Sequence, residues 1–167
     1  MKTAFLSLLL AAAPLAALAD SPDASFYKNA AEAGISEVDV GNLATTKGNS
    51  QAVKDFAAMM VKDHSAANDK LKALAATKAV DLPTSSSVSQ MATKGKLDVL
   101  SGDTFDKSYI KSQLKAHRQA VALFKKEVAS GQDADAKAFA TGTLPTLREH
   151  LKAITKIATD AGVSTKA

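Results

Sequence analysis

Three histidines and one glutamate carry most of the chemistry open to this chain of 167 residues. His64, His117 and His150 each interrupt an otherwise apolar helical seam, and Glu37 does the same in a fourth segment. A buried imidazole or carboxylate is costly unless it is paired or ligated. Four of them at similar height predict a site inside a helical bundle. Imidazole nitrogen and carboxylate oxygen are good ligands for iron, copper, zinc and manganese. Glu37, His64, His117 and His150 could therefore give four ligands to one transition-metal ion, or three with an open position.

The residues beside the histidines have the right types to orient them. Asp63 precedes His64, Arg118 follows His117, and Arg148 and Glu149 precede His150. A ligating imidazole usually donates its second N–H to a carboxylate or carbonyl, a role open to Asp63 or Glu149. Neither is expected to ligate directly, because a residue next to a seam position points about 100° away from it. The competing expectation is a packing layer. Glu37 would pair with a protonated histidine and set helix register, in a non-catalytic envelope or stress protein with a structural or interaction role.

Other chemistries find no support. A di-iron carboxylate centre needs Glu-x-x-His pairs, but Val61, Leu114 and Leu147 occupy the required positions and only four glutamates occur. There is no Gly-x-Ser-x-Gly elbow and no phosphate-cradling glycine loop. Cysteine is absent, which removes disulfides, thiolate metal sites and a cysteine-linked lipid anchor. Met60, one turn before His64, reads as core filling rather than a copper ligand.

The elements that must position these residues are helices. Apolar residues recur at spacings of three and four, and alanine, leucine and lysine favour helix over strand. The first helix is expected over about 23–47, with the seam Phe26, Ala30, Ala33, Glu37, Val40 and Ala44. The second follows a cap at Ser50 and carries Val53, Ala57, Met60, His64, Ala67 and Leu71. A short amphipathic piece over about 87–100 presents Val88, Met91, Leu97 and Leu100, across one end of the bundle or within a long crossover. The third long helix starts near Asp103 or Thr104 and carries Ile110, Leu114, His117, Val121 and Phe124. The fourth starts near Asp133 and carries Ala136, Ala140, Leu147, His150 and Ile154. Pro145 predicts a kink or a restart in that last helix. Short alternating connections predict an all-α, antiparallel four-helix bundle with the extra short helix between the second and third.

The N-terminal stretch carries Lys2, an apolar run over 4–18, and Ala17-Leu18-Ala19 before Asp20. That is the pattern of a secretory signal peptide over 1–19, leaving residues 20–167 as one bundle domain. No later stretch reaches the ~20 apolar residues of a transmembrane span. Export to a bacterial periplasm is the expected destination. The 19 lysines are spread along the chain and only two arginines occur. Without a basic stripe, nucleic acid is not an expected partner.

Three stretches carry a family resemblance. They are Phe56-Ala57-Ala58-Met59-Met60-Val61-Lys62-Asp63-His64, Leu100 to Tyr109 followed by Ala116-His117, and Leu144-Pro145-Thr146-Leu147-Arg148-Glu149-His150. Together the sequence resembles a bacterial exported family, domain of unknown function 4142, over about 26–158. The resemblance implies a ferritin-like helical bundle and an outer-membrane or periplasmic location, and no activity. An outer-membrane barrel disagrees with the helical pattern.

Overall fold

In the computed structural model, residues 22–166 are described and form five helices. These are α1 (Pro22–Lys47), α2 (Gln51–Thr77), α3 (Val88–Asp98), α4 (Gly102–Ser130) and α5 (Ala134–Asp160). The expected signal peptide lies outside the described residues. No described helix is long and apolar enough to cross a membrane. Local signals set the helix starts. The Ser50 hydroxyl accepts from Val53 N–H, the Asp133 carboxylate accepts from Asp135 and Ala136 N–H, and Ser87 with Gln90 forms a capping box on α3. α5 runs unbroken through Pro145, so that residue does not restart the helix.

The chain folds as two helical hairpins, α1–α2 and α4–α5, each closed by a short turn. Each turn is held by an aspartate near the start of the other hairpin. Asp106 on α4 accepts from Asn49 N–H and Ser50 N–H, both at 2.8 Å. Asp23 on α1 accepts from Gln132 N–H at 2.9 Å and from Asp133 N–H. Both carboxylates are buried, and charge-assisted bonds to two backbone donors justify that burial. α4 therefore starts beside the end of α1, and α5 starts beside its beginning. Lys78, just after α2, pairs with Asp133 at 3.2 Å and Asp135 at 2.7 Å at that second end.

These anchors fix the directions. α1 runs antiparallel to its neighbours α2 and α4, and α5 likewise to α2 and α4. Since α2 and α4 run the same way, the link between them must return along the whole bundle. Residues 78–101 make that crossover, with α3 packed against α1 and α4. Of the two places expected for the short helix, the long crossover is the one found, and only the link between α2 and α4 departs from the short connections of the two hairpins. The expected α3 seam is corrected: Leu97 is buried and Leu100 packs on the core, while Val88 and Met91 are exposed. A strap lying over a groove buries fewer side chains than a helix inside the bundle.

The core is divided. Val53, Phe56, Met60, Phe105, Ile110 and Ile154 belong to one apolar cluster at the α1–α2 turn end. Phe26, Leu71, Phe124, Ala140 and Leu144 belong to a second at the opposite end. Glu37, His64, Gln113, His117 and His150 lie between the two and are all buried. α1 approaches α2 closely at this layer. A Cβ on Gly34 would stand 1.8 Å from Asn68 Oδ1, and one on Gly41 would stand 2.8 Å from Val61 Cγ2. These two glycines flank Glu37 along α1 and let the backbones meet.

Candidate metal centre

Each histidine comes from a different long helix: His64 from α2, His117 from α4 and His150 from α5. The ring centroids are 5.5–5.7 Å apart. One ring nitrogen from each lies within 4.8 Å of the other two. Points so spaced share a centre no more than about 2.8 Å from any of them. Metal–imidazole bonds measure about 2.0–2.1 Å, so side-chain movements below about 1 Å would close a three-nitrogen site.

The remaining ring atoms show which nitrogens are free. Nδ1 of His117 lies 3.1 Å from the Gln113 carbonyl and can only donate to it. Nε2 of His150 lies 3.0 Å from Asp63 Oδ2 and donates to that carboxylate. These bonds set the tautomers. They leave His117 Nε2 and His150 Nδ1 as acceptors, and both are buried without a partner, as is His64 Nε2. Two unpartnered lone pairs and the unpartnered His64 Nε2, on three converging rings, fit a metal ion. A packing layer would pair them.

Electrostatics keeps these lone pairs available. Burial lowers the His64 pKa to about 3, helped by repulsion from His117 and His150. Burial lowers His117 to about 4 against the bond to Gln113. His150 is also lowered by burial, with Asp63 opposing. All three rings are neutral at neutral pH.

Glu37 lies in the same layer but outside the three-nitrogen group. Burial pushes its carboxyl up to about 7, while a hydrogen bond from Gln113 and the His150 ring pull it down. Its Oε2, Gln113 Oε1 and the Tyr109 hydroxyl are buried without partners. Burial, then Glu37, raises the Tyr109 pKa well above its usual value. Gln113 escaped the sequence reading, although Tyr109, Gln113 and His117 repeat at a spacing of four along α4.

Asp63 lies next to His64 in sequence yet orients His150 across the α2–α5 interface. The other flanking residues face outward. Glu149 is exposed and 3.9 Å from Lys152, and the Arg118 guanidinium donates to the Thr165 carbonyl, tying down the C-terminal segment.

Two hollows reach the layer. One of about 540 Å³ opens between α1, α4 and the crossover, and is lined by Glu37, His64, Gln113 and His117. The other, about 240 Å³ between α2 and α5, is lined by Asp63, His64, Gly142, Thr146 and His150.

An all-α bundle with three inward histidines at mid-height defines the structural class. The chain itself belongs to the family described as Domain of unknown function (DUF4142), whose model matches residues 9–157. No curated protein matches it in sequence. Solved structures show the same fold at low identity. A DUF305 protein from Streptomyces coelicolor is similar at a TM-score of 0.73 and 18% identity, covering 89% of this chain and 99% of that one. A DUF305 fragment from Deinococcus radiodurans has a TM-score of 0.73 and 11% identity, covering 84% and 97%. CopM in its Cu(I)-bound form has a TM-score of 0.69 and 13% identity, covering 84% and 98%.

Proposed function

We propose that this protein binds one transition-metal ion through His64, His117 and His150, within a single exported domain over 20–167 whose leader is removed after Ala19. The observation that carries the reading is the convergence of three buried ring nitrogens without hydrogen-bond partners. The tautomer-setting bonds to Asp63 and the Gln113 carbonyl support it. Glu37 serves as a carboxyl beside the site rather than as the fourth ligand, because it stands outside the close nitrogen group. A neutral three-imidazole set suits copper, zinc or iron better than magnesium or calcium. The Cu(I)-bound neighbour makes copper the first ion to test. Handling or sequestering such an ion in the periplasm is the role that follows.

The test is elemental analysis of the purified mature protein after metal exposure and exhaustive buffer exchange. Close to one ion per chain is expected, with loss in His117→Ala. Equal metal content in wild type and His117→Ala would refute the site and leave a polar layer that only sets register.

A further inference from the structure

The larger hollow, beneath the crossover at Ser87 and Gln90, holds polar atoms that the three-histidine site does not use. Glu37 and Gln113 line it and are both buried, and Glu37 Oε2 and Gln113 Oε1 have no hydrogen-bond partner. The two side chains are neighbours, because the Gln113 amide donates to the Glu37 carboxyl. That bond uses the donor side of the amide and leaves two acceptor oxygens free. His117 Nε2, also in the lining, is an acceptor as well, since its Nδ1 donates to the Gln113 carbonyl. Such a wall calls for a hydrogen-bond donor, and a carboxylate within it makes a cationic donor the best match. Lys115, in the same lining, is exposed and leaves Glu37 Oε2 unpartnered.

Size and the remaining walls separate one kind of cation from another. Two side-chain oxygens fall short of the about six that a hard metal ion takes. The hollow measures about 540 Å³, far more than one ion fills and within the range of small-molecule pockets. Leu71, Leu123, Phe124 and Phe139 give it apolar sides. An ammonium group at the Glu37 end and an apolar body along those sides match both features. An aliphatic amine is a stronger base than a carboxylate, so the proton rests on nitrogen and the buried charges meet as a pair.

We infer that the cavity beneath the crossover binds a small organic amine, with its ammonium group held by Glu37 and Gln113 and its apolar body between Leu71, Leu123 and Phe124. This goes beyond the metal-binding reading and does not rest on it.

The probe is 2-phenylethylamine, titrated at neutral pH into mature protein freed of metal by chelator and followed by backbone amide chemical shifts. Its comparisons are 2-phenylethanol and phenylacetate, which pair a similar body with a neutral or an anionic head. Wild type is expected to bind the amine saturably, the alcohol about tenfold or more weakly, and the acid not at all. Glu37→Gln keeps the shape of the side chain and is expected to weaken amine binding about tenfold or more. Ala33 lines the cavity one turn before Glu37, so Ala33→Phe is expected to block the amine. Ala33→Leu is used if the larger side chain prevents folding, as judged by circular dichroism. Thr146→Phe, which fills only the α2–α5 hollow, is expected to leave amine affinity within about twofold. No saturable amine binding to wild type overturns the inference, as does equal affinity for the alcohol or in Glu37→Gln. Binding blocked by Thr146→Phe but by neither Ala33 variant overturns it too. The metal content of the protein is measured separately, so the metal reading stands or falls on its own result.

Discussion

Proton competition gives the sharpest test of the buried histidine site. An ordinary imidazole has a pKa of about 6.5, so on going from about pH 7 to pH 5 protons reduce its availability about 25-fold. Three independent exposed ligands would together lose about 10⁴ in metal affinity over that range. In this bundle His64 and His117 are lowered to about 3 and about 4. The sign follows from burial: a lowered histidine pKa keeps the neutral, ligating form down to lower pH. At pH 5 both rings are still more than about 90% neutral. Even a fully ordinary His150 would therefore limit the total loss to about 25-fold. The assay is competition with a chromophoric chelator, corrected for the chelator's own protonation, on protein shown by circular dichroism to remain folded. A decline of 10³ or more would refute the argument that burial holds these rings neutral.

Asp63→Ala should weaken metal binding about 10- to 100-fold while the thermal transition of the metal-free protein persists, because His150 loses the carboxylate that sets its tautomer; unchanged affinity would count against that role. The α1–α2 contact separates two glycines. Gly41→Ala meets the Val61 methyl and the Ala57 carbonyl, and should cost about 1–3 kcal/mol in chemical denaturation. Gly34→Ala meets only the end of the Asn68 side chain, which can turn away, and gains helix propensity of up to about 1 kcal/mol; it should cost less than Gly41→Ala, and the reverse order would contradict the packing argument. Glu127 is buried near Asp23, and burial followed by Asp23 raises its pKa from 4.5 to about 7. The folded state then holds a proton that the unfolded state releases, so this contribution is present below pH 4.5 and lost as pH rises through about 7. Metal-free Glu127→Gln should gain on wild type between pH 5 and pH 8, by an amount on the order of 1–2 kcal/mol in denaturant midpoint measurements; a difference that does not vary with pH would oppose it.

The helices were legible in the sequence because spacings of three and four, joined to caps such as Ser50 and Asp133, are local properties. The same periodicity placed Glu37, His64, His117 and His150 on inward seams at mid-height, since rise per residue converts offsets from the caps into depth. Depth along a helix says nothing about rotation around the bundle, and here only the tertiary structure decided. It brought the three ring nitrogens within 4.8 Å and left Glu37 beside them, outside the group. It paired Asp63 with His150 across a helix interface rather than with its sequence neighbour His64. It also turned the α2–α4 link into a crossover, through Asp106 gripping the α1–α2 turn and Asp23 gripping the α4–α5 turn. Those bonds join residues more than fifty positions apart, and no local pattern contains them. The sequence by itself determined which residues face inward and how deep they lie. The packing of the two hairpins decided which of them meet.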